Sequence, residues 1–89
     1  MPTAHLTLIG KPGCHLCDDA RELINSVVGK IEGHPSAPEV VLKELSILDD
    51  AELNELYAED IPVLLINGKV HNYWRLDPLR LRAALLDVR

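Results

Sequence analysis

The chain has 89 residues, with 9 Lys and Arg against 14 Asp and Glu and a formal charge of −5. That length suits one domain spanning 1–89, and the two cysteines are too few for a multi-disulfide secreted framework. The acidic balance argues against a nucleic-acid or anionic-membrane partner, and no apolar run reaches the about 20 residues that cross a bilayer.

The elements alternate in type along the chain. Residues 4–9 are rich in β-formers and stop at Gly10-Lys11-Pro12-Gly13, a cluster of chain breakers. A helix follows, because Leu16, Ala20, Leu23, Ile24, Val27, Val28 and Ile31 recur at three- and four-residue steps. Asp18, Asp19 and Glu22 sit near its start, where the helix dipole favours negative charge. Residues 33–39 read as a loop and 40–47 as a second strand. Asp49 and Glu52 have the spacing of a capping box, ahead of a short helix with Leu53, Leu56 and Tyr57 on its apolar stripe.

Pro62 stops that pattern, and Val63 to Ile66 form an all-apolar run suited to a strand covered on both faces. Asn67-Gly68 is a strong hairpin signal, so residues 69–73 should return antiparallel. Asp77-Pro78 fits an N-cap followed by proline at the first helical position, with Leu79, Leu81, Leu85, Leu86 and Val88 in the last helix. The order β-α-β-α-β-β-α predicts an α/β fold with a four-stranded mixed sheet flanked by helices.

Cys14-His15-Leu16-Cys17 follows the first strand at the start of the first helix. Residues three apart on a helix share a face, with Cβ atoms about 5–6 Å apart, close enough for a disulfide to open and close. Unpaired N–H groups at the helix start favour a thiolate at Cys14, and Lys11 and a protonated His15 push the same way. Cys14 is therefore the candidate nucleophile and Cys17 the resolving cysteine. Two other readings remain open: cysteines that only fill space, or half of a metal site in a binding module. His5, His15, His34 and His71 are scattered and lack metal-ligand spacing. No basic segment followed by a long apolar run opens the chain, so a cytoplasmic location is expected.

The stretch Pro12-Gly13-Cys14-His15-Leu16-Cys17-Asp18-Asp19-Ala20, with Ile61-Pro62 leading into an apolar strand, resembles the thioredoxin superfamily and most closely its small bacterial glutaredoxin-like proteins. The resemblance covers essentially the whole chain. It implies the thioredoxin fold and a dithiol–disulfide oxidoreductase with no bound organic cofactor, with glutathione as a conceivable co-substrate. It also implies a cis Pro62 beside the cysteine pair, an Ile61 backbone offered to substrate, and a Lys11 that binds a glutathione carboxylate.

The chain departs from the dithiol glutaredoxin pattern at three places. His15-Leu16 stands between the cysteines where proline and an aromatic are usual, Asp60-Ile61-Pro62 replaces Thr-Val-Pro, and Tyr73-Trp74-Arg75-Leu76-Asp77 lacks the glycine pair. The expected partner is therefore a protein disulfide or glutathione, and the expected state a monomer. Trp74 is read foremost as a core anchor for the last helix, with Trp74 and Arg75 lining a substrate groove as the other reading.

Overall fold

In the computed structural model, residues 2–88 are described; Met1 and Arg89, the two ends of the expected 1–89 domain, lie outside the described residues. The elements are β1 (Thr3–Gly10), α1 (His15–Ile31), β2 (Glu39–Ser46), α2 (Ala51–Tyr57), β3 (Val63–Ile66), β4 (Lys69–Tyr73) and α3 (Pro78–Leu86). This is the predicted order, and the sheet runs β2-β1-β3-β4. β1 pairs parallel with β2 and antiparallel with β3, and β3 pairs antiparallel with β4.

Strand alternation splits the core between the two faces of the sheet. Ala4, Leu6 and Leu8 of β1 and Leu64 of β3 pack with Ala20, Ile24, Val27 and Ile31 of α1 and with Leu81 and Leu85 of α3. Ile9, Ile47 and Val63 form a smaller cluster on the other face, joined by Leu53 and Tyr57 of α2. α1 and α3 thus cover one face and α2 the other. Each fully buried Leu or Ile contributes about 1.5–3 kcal/mol relative to exposure, so the larger cluster dominates.

The β3–β4 turn has Asn67 at φ 51° and Gly68 at φ 83°, the left-handed pair that a two-residue hairpin requires. Asn67 also ties the turn to β1: its Oδ1 accepts from His5 N–H at 2.9 Å, and its own N–H donates to the His5 carbonyl at 2.8 Å.

Two sequence expectations shift. The α2 cap is Asp50, whose carboxylate accepts from Glu52 and Leu53 N–H, and not Asp49. Leu56 and Leu79 are exposed, at 60% and 77%, although periodicity places both on apolar faces. Leu79 lies two residues from the fully buried Leu81, which on a helix turns it about 200° away from the core.

The register brings several segments to one end of the sheet. Gly10 pairs with Ser46, Ile9 with Val63, and Val63 with Tyr73. The Gly10–Cys14 turn, Ile61-Pro62 and Trp74-Arg75 therefore all leave the sheet at the same end.

Candidate active site: Cys14 and Cys17 at the start of α1

Cys14 is the N-cap of α1, in extended conformation at φ −89° and ψ 113°. A capping side chain normally supplies an oxygen to the first free N–H groups. Here a sulfur does so: Cys14 Sγ accepts from Cys17 N–H at 3.3 Å, and the Cys14 carbonyl accepts from Asp18 N–H at 3.1 Å. The breaker cluster ends the strand, the helix begins one residue after Cys14, and the nucleophile candidate lands where the helix offers its unpaired donors.

The two cysteines differ in environment. Both are free thiols; Cys14 is half-buried and Cys17 is 3% exposed against the end of β1. Burial pushes the Cys17 thiol from the ordinary 9.0 up to about 11. A hydrogen bond to the Cys14 sulfur and the neighbouring Cys14 and Asp18 charges push it the same way, against a Lys11 backbone N–H that favours the thiolate. Near neutral pH Cys17 therefore keeps its proton, and its N–H and S–H both lie against Cys14 Sγ.

The other sequence candidates are placed as follows. Lys11 and His15 are exposed, Lys11 in the turn before Cys14 and His15 as the first residue of α1. The structure gives Lys11 a backbone contact to Cys17 that side-chain reasoning does not foresee. Ile61 is half-buried and Pro62 buried, and the bond between them is cis. Trp74 is not a core anchor: it is 57% exposed, because Ile24, Leu64, Leu81 and Leu85 already fill the space beneath α3.

One further feature combines a local contact with a long-range one. Arg21 bridges two carboxylates, with Nε 2.7 Å from Glu44 Oε1 and Nη1 3.0 Å from Asp18 Oδ1, in a cleft that also reaches Cys17. The Asp18 contact could be read from its three-residue spacing, whereas the Glu44 contact depends on the β1–β2 register. Among the described residues no group of three or more His, Cys, Asp and Glu side chains is arranged to hold a metal ion, and no helix is long and apolar enough to cross a membrane.

Residues 5–86 match the sequence profile of a family described as a glutaredoxin-like domain. The crystal structure of XcR50, a structural-genomics target from X. campestris, is 32% identical, with 90% of this chain and 93% of that one covered and a TM-score of 0.69. The solution structure of Ne2328 from Nitrosomonas europaea is 25% identical, covering 96% and 93%, with a TM-score of 0.75. Oxidised mitochondrial thioredoxin 3 from Saccharomyces cerevisiae shares the fold at 10% identity, covering 96% and 78%, with a TM-score of 0.62. No curated protein matches the chain.

Proposed function

The chain belongs to the glutaredoxin-like family and has the thioredoxin fold; from that premise and the placing of its two sulfurs we propose that it is a thiol–disulfide oxidoreductase acting on protein or glutathione mixed disulfides. The observation that carries this reading is Cys14 Sγ capping α1 and accepting the Cys17 N–H at 3.3 Å. Position, partial exposure and convergent donors suit Cys14 to attack, while burial suits Cys17 to resolve.

The chemistry follows in two displacements. Cys14 thiolate attacks one sulfur of the substrate disulfide; a mixed disulfide forms and one half leaves as a thiolate. Cys17 then loses its proton to solvent and attacks Cys14 Sγ. The bond to substrate breaks, the second half leaves reduced, and a Cys14–Cys17 disulfide remains. Two electrons have passed to the substrate, and two molecules of an external thiol such as glutathione restore the dithiol and leave as their own disulfide. Lys11 in the turn before Cys14 and His15 as the first residue of α1 flank the attacking sulfur in sequence. Ile61, held before the cis Pro62, offers its backbone to the incoming chain.

The test is the thiol state of the purified protein by mass spectrometry after equilibration in glutathione redox buffers. A reversible loss of two hydrogens with a midpoint between about −180 and −270 mV supports the proposal. Absence of an intramolecular disulfide in every buffer overturns it in favour of a binding module with a redox-silent or metal-holding pair.

A further inference from the structure

Between α1 and the segment that follows β4 lies a groove of about 270 Å³. Leu16, Ala20 and Leu23 of α1 form one wall, and Trp74 and Leu76 stand opposite, so the lining is mainly apolar. Two exposed charges border it, Asp19 on α1 and Arg75 on the other side. The groove begins at Leu16, between the two cysteines in sequence. Its far wall is tied to the cis-proline segment, since Trp74 N–H donates to the Pro62 carbonyl at 2.8 Å and to the Asp60 carbonyl at 3.1 Å.

Trp74 has φ 67°, a left-handed conformation that costs a bulky side chain energy. The two N–H bonds hold it there, and the indole stays 57% exposed instead of joining the core. Arg75 lies over the ring, its guanidinium carbon 5.6 Å from the centroid, and forms no ion pair among the described residues. The N–H groups that open α3 are already taken, because Asp77 Oδ1 accepts from Leu79 at 2.9 Å and from Arg80 at 3.4 Å. A ligand carboxylate at this end of α3 would meet Asp77, which leaves Arg75 as the cation that can receive it.

We propose that this groove is a specificity subsite for polypeptide disulfides, taking an apolar side chain next to the reacting cysteine while Arg75 pairs with a neighbouring Asp or Glu. The inference deepens the oxidoreductase reading and rests on it for the disulfide, but groove occupancy can be measured apart from turnover. Charge and shape both favour this occupant. The lining rewards a Leu or Phe side chain, which glutathione lacks. Arg75 attracts one carboxylate in a chain of net charge −5, and Asp19 repels a second. Glutathione carries two.

Trp74 is the sole tryptophan, so its fluorescence reports the groove directly. The reduced protein is titrated with short unreactive peptides in which serine replaces the cysteine, each N-acetylated and C-amidated so that it bears one side-chain charge only: Ser-Leu-Glu, Ser-Ala-Glu, Ser-Leu-Lys, and separately S-methylglutathione. The expected result is a saturable change with Ser-Leu-Glu and affinity weaker by about tenfold for each of the others. Arg75→Glu should turn the preference towards Ser-Leu-Lys. Equal binding of the three peptides, no saturation with any, or tighter binding of S-methylglutathione would overturn the proposal.

Turnover supplies the second reading. In Trp74→Gly, which accepts the positive φ without strain, the ratio of kcat/KM for a Cys-Leu-Glu mixed disulfide over that for a glutathione mixed disulfide should fall about tenfold. An unchanged ratio counts against the subsite. If the wild type reduces no disulfide at all, the oxidoreductase reading fails while the fluorescence titration still decides the groove.

Discussion

A Cβ built on Gly10 would stand 2.7 Å from Cys17 Sγ and 3.2 Å from Cys17 Cβ. The last residue of β1 is therefore glycine because Cys17 rests directly on the strand. Cysteine has a single side-chain torsion, so its sulfur has little room to retreat. Gly10→Ala should push α1 off the sheet end and cost about 1–3 kcal/mol, a drop of several degrees in melting temperature. Formation of the Cys14–Cys17 disulfide should slow in the same variant. An unchanged melting curve would mean that the contact yields freely.

Cys17→Ser removes the sulfur to which the proposal gives the resolving role and keeps Cys14. With a peptide disulfide it should accumulate a covalent adduct on Cys14, seen as an added peptide mass that dithiothreitol removes. Cys14→Ser should show neither adduct nor turnover. An adduct on Cys17 in that variant would reverse the assigned roles.

The raised Cys17 pKa sets a pH window. The folded thiol titrates near about 11, above the ordinary 9.0. The native state therefore holds its proton more tightly than the unfolded chain. The resulting stability is fully present below pH 9 and is lost as pH rises towards about 11. Chemical unfolding of the reduced protein from pH 8 to 11 should show a falling free energy, with a flatter profile in Cys17→Ala. Identical profiles would remove burial as the cause.

The exposure of Leu79 and the burial of Leu81 separate two leucines that composition treats alike. Leu81 is 0% exposed in the cluster shared by α1, α3 and the sheet, and Leu79 is 77% exposed. Leu81→Ala should cost about 2–5 kcal/mol, whereas Leu79→Ala should stay within about 0.5 kcal/mol. Urea titration of the two variants measures the contrast.

Adjacent aspartates give a similar contrast at α2. Asp50 accepts two backbone N–H groups, and Asp49 is not the cap. Asp50→Ala should cost about 0.5–2 kcal/mol and Asp49→Ala much less. Equal losses would return the cap to the position that spacing suggested.

Much of the molecule is legible in the order of its residues. Breaker clusters, an Asn-Gly turn and Asp-Pro at a helix start are local signals, since each acts through the φ and ψ of its own few residues. They determine the order β-α-β-α-β-β-α, and the three-residue spacing of Cys14 and Cys17 at a strand-to-helix junction determines the candidate chemistry. Leu56, Leu79 and the α2 cap were misplaced because periodicity fixes a face only to within a residue or so.

What the tertiary structure alone decided depends on register and competition for space. Arg21 meets Glu44 because β1 and β2 pair in one alignment. Gly10 lies beneath Cys17 because α1 folds back on the strand that precedes it. Trp74 has the size and apolarity of a core residue, yet the core closed around Ile24, Leu64, Leu81 and Leu85 without it. The hydrogen bonds of Trp74 N–H to Asp60 and Pro62 then hold its ring in solvent, across a groove from Leu16 and Leu23 of α1. Local propensity is written residue by residue, whereas a place in the core goes to whichever side chains the assembled sheet and helices bring together.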